Sequence, residues 1–237
     1  MNIAIFCMAV LCGGFIQSVS GFGFGIFVML IFPYILPVSE CAAVSSLLSM
    51  SSSFVLALVL RKKCRYKRLV FPFLGYIIGT TPAIFLSDSA PNEILKTMLA
   101  IMLMILSIYF LLFQSKIKLK ESRLAGITAG VLSGILGGFF AMGGPPIVAY
   151  LLQTSEDNDS YMAEVQTYFA ITNLFSTAMR ICAGIVNESV LWHWIVGLVA
   201  LAVGTLLGRI VFKHINSKKL KTIIYCFMLV SGIINLF

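Results

Sequence analysis

Two glycine-rich interruptions inside apolar sequence constrain the fold of this 237-residue chain more than any other feature. One is Ser20-Gly21-Phe22-Gly23-Phe24-Gly25, and the other is Gly137-Gly138-Phe139-Phe140-Ala141-Met142-Gly143-Gly144-Pro145-Pro146. Each falls where an apolar helix should continue. Gly costs about 1 kcal/mol relative to Ala in a helix interior and Pro about 3, so a continuous helix is disfavoured at both places. In lipid, a freed peptide group must also find its partner in protein or in a water-filled cavity. The sequence therefore predicts two unwound points at membrane depth, both turned towards the interior of the molecule. Paired breaks in corresponding halves are a pointer to a binding site.

Composition supplies the lipid. The chain is 59% hydrophobic and only 11% charged, against roughly 25% charged in soluble domains, and its mean hydropathy is +1.01. Apolar stretches of about 18 or more residues recur along it, each a spanning candidate. No polar segment is long enough for a separate soluble domain, so an all-α integral membrane protein is expected. The net charge of +8 sits in short loops between apolar segments, the pattern of the positive-inside bias. Anionic lipid headgroups are the expected partners of those loops, and nucleic acid is not. The six cysteines (7, 12, 41, 64, 182 and 226) lack metal-ligand spacing and form no CxxC, so they read as small residues in an apolar setting. Neither metal nor cofactor is expected. No Lys or Arg precedes Arg61, so the basic start of a cleavable signal is missing.

In order, the apolar stretch 3–36 is too long for one span and too short for two, which suits a helix, a glycine tip and a shorter helix. It can form a re-entrant pair or one broken span. Helices are predicted at about 40–60, 69–86 and 93–113. The plan then repeats: 125–152 is apolar and broken at Gly143 to Pro146, and helices are predicted at about 162–183, 190–212 and 220–237. Gly14 and Gly23 match Gly134 and Gly143 at an offset of 120, and Glu40 matches Glu164 at 124. Gly79-Thr80 matches Gly204-Thr205, and Leu95-Lys96-Thr97 matches Leu220-Lys221-Thr222, both at 125. A slowly growing offset indicates one duplication, with repeats over 1–115 and 116–237.

Lys and Arg decide the orientation. Six lie in 61–68, four in 116–123 and five in 209–221. All three loops fall on the cytoplasmic side only if each broken segment enters and leaves on one side. The halves are then inverted repeats, each a re-entrant segment plus three transmembrane helices, and Lys96 and Arg180 lie near the outer surface. The acidic stretch Glu156 to Glu164 would be inside, against the trend. Eight single crossings with parallel halves are the alternative.

The candidate site follows from the breaks. A helix starting just after Gly25, and another starting at Pro145 or Pro146, would present unpaired N–H groups and a positive dipole end. Proline suits the first helical turn, and such a terminus binds anions without a lysine. Asn173, Ser176, Thr177 and Arg180 fall at i, i+3, i+4 and i+7, one helix face. Ser45, Ser49, Ser52 and Ser53 repeat that stripe in the partner helix. Serines also join membrane helices by hydrogen bonds, and an Arg near a helix end can snorkel to the interface. Gln17 and Gln166 are further candidates. The trio Trp192-His193-Trp194 fits an interfacial aromatic belt, and Glu40 and Glu164 fit first helical turns. No Asp or Glu lies deep in an apolar segment, so no buried proton relay is visible.

The segment from Gly13-Gly14-Phe15 to Pro33, repeated from Leu132-Ser133-Gly134 to Leu152 with a small-polar helix after each, resembles the sulfite exporter TauE/SafE family of membrane permeases. The resemblance covers nearly the whole chain. It implies a multi-pass protein of the cytoplasmic membrane, not an enzyme, that moves sulfite, a sulfonate or a related organic acid. By motif position it implicates Gly21, Gly23, Gly25, Gly143, Gly144 and Pro145, while the first copy has Gly25-Ile26 opposite Pro145-Pro146. The expected substrate contacts are these residues with Pro146, Ser49, Ser52, Asn173, Thr177 and Arg180. An anion-selective channel built on the same tips is the alternative.

Overall fold

The computed structural model describes residues 2–112, 121–211 and 233, and every regular element among them is helical. α1 (Asn2–Ser20) ends at the first interruption, and the short α2 (Phe24–Val28) and a 3₁₀ turn at Phe32–Tyr34 follow. α3 (Val38–Leu60), α4 (Tyr66–Ser89) and α5 (Asn92–Leu112) come next. Beyond them lie α6 (Arg123–Phe140), α7 (Gly144–Thr154), α8 (Asn158–Cys182) and α9 (Glu188–Val211). The expected helix 220–237 lies outside the described residues apart from Ile233. Among the described residues six helices, α1, α3, α4, α5, α6 and α9, are long and apolar enough to cross a membrane. α8 is too polar for that set, and its polar face is buried instead, from Glu164 to Arg180.

Local chemistry places the ends. α1 stops where Gly21 (φ 81°) and Gly23 (φ 99°) take the left-handed region, which lacks a steric penalty only for glycine. α6 stops at Ala141 (φ 54°), the one described non-glycine residue with positive φ. A left-handed Ala costs about 1–2 kcal/mol. Hydrogen bonds from Ala141 N to Gly137 O (3.0 Å) and from Met142 N to Leu136 O (3.2 Å) hold it there. The second break thus spans 141–143, earlier than the expected Gly143 to Pro146, because both prolines fit inside the first turn of α7. Likewise α2 begins at Phe24 and takes Gly25 into its first turn. Side-chain caps start two helices: Ser122 Oγ accepts from Ala125 N (3.1 Å) and Asp157 Oδ1 from Ser160 N (2.7 Å).

Glycine faces then set the packing. A Cβ on Gly75 or Gly79 of α4 would overlap the Ile127 or Val131 carbonyl of α6, and one on Gly130 or Gly134 would overlap Pro72 or Tyr76. The two backbones therefore touch, as small-residue faces permit. Gly204 and Gly208 bring α9 against Leu11 and Phe15 of α1 in the same manner. α3 and α8 pack on each other through the middle. Each half thus lends its first helix to the other half, α1 to α9 and α6 to α4.

Contacts at the two ends of the bundle show where the broken segments return. Phe6 of α1 stacks on Phe32 (4.8 Å) and meets His193 edge-on (5.0 Å). Nearby, Asn187 Nδ2 donates to Glu40 (2.9 Å) and Val38 N to Asn92 Oδ1 (2.9 Å). This is the end where α3 begins. At the other end the loop after α3 and the first turn of α4 pair with residues on both sides of the second break. Arg68 reaches Glu121 (2.8 Å), Arg65 pairs with Glu156 and Lys63 with Asp159. The acidic loop that looked misplaced lies against the basic one.

Glu164 departs from its expected place. It sits on the seventh residue of α8, fully buried, accepting from Ser155 Oγ (2.6 Å) and facing Arg68 (3.7 Å). Trp192 is exposed as an interfacial residue would be, whereas Trp194 turns inward to donate to Ser51 Oγ (3.3 Å).

Candidate functional site

The two breaks meet. A Cβ on Gly25 would overlap the carbonyl of Ala141, so the first tip rests directly on the second. Beside this contact lies a cavity of about 30 Å³, room for one or two waters. The first break contributes Phe22, Gly23, Phe24, Gly25 and Ile26, and the second Ala141, Met142, Gly143 and Gly144. Ser49 of α3 and Thr172 and Asn173 of α8 close it laterally, with Gln17, Tyr76, Ser133, Gly137 and Phe169 completing the wall.

Its donors are mostly peptide groups. In α2 the first intrahelical bond starts at Phe27 N, bound to Gly23 O (3.0 Å), so Phe24, Gly25 and Ile26 carry N–H groups with no helical acceptor. The second break offers fewer. Pro145 and Pro146 have no N–H, which leaves Gly143 and Gly144 as amide donors there. Proline at a first turn suits the helix but halves what that terminus can give a ligand. Asn173 Nδ2 donates to Ser49 Oγ (3.1 Å), which frees the Ser49 proton for the cavity. Thr172 and Ser133 are already committed as donors, to Tyr168 O (2.7 Å) and Gly143 O (2.6 Å).

Buried polar bonds fix the tips in place. Gln166 Nε2 donates to Gly21 O (2.7 Å), tying α8 to the first break. Tyr168 donates to Ser133 Oγ (3.1 Å), which holds the Gly143 carbonyl, tying α8 to the second. Gln17 Nε2 donates to Ser53 Oγ (3.1 Å). α8 is polar because it must clasp both breaks.

The expected residues divide into three groups. Gly23, Gly25, Gly143, Gly144, Ser49 and Asn173 line the cavity. Gly21, Thr177 and Arg180 are buried but do not line it. Pro145 and Pro146 face an apolar groove between α5, α6 and α7, and Ser52 another between α3 and α9. Sequence reasoning overlooked Ser133, Tyr76, Thr172, Phe22 and Phe169. Ser133 and Phe22 stood inside quoted motifs, and the other three carry no pattern that separates them from packing residues.

Arg180 does not snorkel. It is fully buried, and its Nη2 donates to Gly137 O (3.0 Å) and Gly138 O (2.6 Å). These belong to the last turn of α6, where Gly137 O also accepts from Ala141 N and a cation opposes the negative dipole end. No carboxylate pairs with it among the described residues. A buried ion carries a desolvation penalty of several kcal/mol. Two charge-assisted bonds of about 1.5–3 kcal/mol each offset much of that. Among the described residues no cluster of His, Cys, Asp and Glu could hold a metal ion.

The family model described as Sulfite exporter TauE/SafE matches residues 5–234. No curated protein and no solved structure matches the chain.

Proposed function

Because the chain belongs to the sulfite exporter TauE/SafE family, we propose that it is a permease of the cytoplasmic membrane that moves sulfite, a sulfonate or a related organic acid by alternating access. The observation that carries this reading is the meeting of both breaks at one small cavity walled by unpaired amides, Ser49 and Asn173. An oxyanion there accepts from the Gly25, Ile26, Gly143 and Gly144 amides and from Ser49, with no lysine to hold it too tightly for release. The cavity's size favours a ligand of few atoms.

The inverted-repeat reading is supported by the return of the two broken segments to opposite ends of α3. With the basic loop 61–68 cytoplasmic, the first segment enters from outside and the second from inside. Repeats over 1–115 and 116–237 do not move as separate bodies in this scheme. The units that rock are α1 with α9 and α4 with α6, since their glycine faces leave no room to slide, and α3 and α8 form the axis between them.

The test is anion flux in proteoliposomes. The wild type should show saturable uptake and counterflow of sulfite or a sulfonate, and Asn173→Ala and Gly143→Val should each lose at least about tenfold in rate. Unchanged flux in both variants removes the cavity from the pathway. Conductance without saturable counterflow would establish the channel alternative instead.

A further inference from the structure

We propose that Arg180 and Thr177 form a second anion station behind the cavity wall, where the guanidinium is the counter-charge of the oxyanion on its way past the breaks. This rests on the permease reading. The first observation is an excess of donors. Arg180 is fully buried and bonds only through Nη2, while Nε and Nη1 have no partner. Buried polar atoms are nearly always satisfied, and an unpaired charge is the costliest exception. Thr177 Oγ1, one turn earlier on α8, is likewise buried without a partner. Two donor-bearing groups one turn apart on the same helix face, with no acid among the described residues to receive them, match the chemistry of a sulfonate, sulfite or carboxylate.

The second observation is continuity with the cavity. Asn173, Ser176, Thr177 and Arg180 occupy one face of α8, so Arg180 lies about two turns, roughly 10 Å, from Asn173. Asn173 lines the cavity. Ser176 is bonded to Tyr76 OH (2.6 Å), and Tyr76 lines it too. Gly137 belongs both to the cavity wall and to the grip of Arg180. The station is shut in this structure. Separation of the α4–α6 unit from α8 would open it, because α6 supplies the carbonyls that cover the guanidinium and α4 supplies Tyr76.

The experiment is sulfite flux through proteoliposomes of full-length wild type, Thr177→Val, Arg180→Lys and Arg180→Gln, with sulfate and nitrate as competing anions. Thr177→Val removes a hydroxyl without touching the Arg180–carbonyl bonds, and should raise KM about tenfold with kcat nearly kept. Arg180→Lys should keep the preference for the divalent competitor, and Arg180→Gln should erase it. A purely structural role would lower the amount of folded protein without changing that preference. If Arg180→Gln does not fold, the other two variants decide. Wild-type KM in Thr177→Val together with an unchanged competitor preference in Arg180→Lys and Arg180→Gln, or in Arg180→Lys alone where Arg180→Gln is lost, overturns the station and leaves the cavity standing. The same wild-type proteoliposomes are assayed with a sulfonate and with acetate, and a wild type that moves none of the three anions overturns the permease reading and the station with it.

Discussion

Gly25 and Gly144 each lie in the first turn of the short helix after a break, yet they tolerate change differently. A methyl on Gly25 has nowhere to go, because the Ala141 backbone fills the space. One on Gly144 meets only the edges of Phe169 and Phe22, at 3.5 Å, an ordinary contact. Gly25→Ala must therefore push the two tips apart, at about 1–3 kcal/mol if it behaves as other overpacked sites do. It is expected to lower the melting midpoint of the purified protein and cut flux at least about tenfold. Gly144→Ala should keep both near wild type. The glycines were legible in the sequence as conformational punctuation, since Gly21 and Gly23 sit at positive φ. Which of them touches the opposite break was not, because that depends on a contact between residues more than a hundred positions apart. The prolines illustrate the limit further. Pro145 and Pro146 mark the start of α7 as their chemistry requires, but their rings point into an apolar groove and not into the cavity. Arg180 was legible as unusual. Its partners were not, because backbone carbonyls leave no trace in residue type.

At the scale of elements, the end of the bundle bearing the basic loop is closed by ion pairs of two kinds. Lys63–Asp159 and Arg65–Glu156 are half exposed or more, and such pairs contribute about 0–1 kcal/mol. Glu164 is fully buried against Arg68, with Ser155 as its second partner. Removing one member of a buried pair leaves a charge without compensation, typically at about 3–5 kcal/mol. Arg68 keeps Glu121 when Glu164 is removed, whereas Glu164 keeps only Ser155 when Arg68 is removed. Chemical or thermal unfolding in detergent should thus show Arg68→Ala destabilised by about 3 kcal/mol and Lys63→Ala and Arg65→Ala by less than about 1. Position in the sequence suggested that Glu164 begins a helix. The start lies earlier, because Asp157 caps α8 and draws an extra polar turn into it. That cap carries its own pH dependence. The backbone and side chain of Ser160 donate to the Asp157 carboxylate and hold its pKa below the usual 3.8. A depressed folded pKa means the contribution is complete above the ordinary value and vanishes as pH falls through the lower, folded one. Asp157→Ala should therefore melt below wild type at neutral pH. The gap should close only in acid beneath about pH 3.8, and a difference that persists unchanged there would assign the loss to something other than the carboxylate.

For the whole molecule, the pairing of α1 with α9 and α6 with α4 bears on the proposed duplication. Repeat matches such as Gly23 with Gly143 were readable by eye, and the structure gives both glycines the same task, capping the short helix after a break. The exchange of helices between halves was not readable, because glycine faces identify a packing surface without naming its partner. In the proposed orientation the two ends of α3 and α8 lie on opposite sides of the membrane, and cysteine chemistry can find them. Cys182 ends α8 and is exposed; Cys64 lies in the basic loop, part-buried. In single-cysteine variants reconstituted in oriented vesicles, an impermeant maleimide should label Cys182 from the outer face alone and Cys64 from the inner face alone. The rates should differ as well. Burial, with the nearby Glu164 charge, raises the Cys64 thiol above its ordinary value, against a weaker opposing bond with Thr167. Since the thiolate is the nucleophile, labelling of Cys64 should be slow at neutral pH and quicken as pH rises. Labelling of both cysteines from one face would mean that α8 does not cross, and with it the opposed entry of the two broken segments would fall.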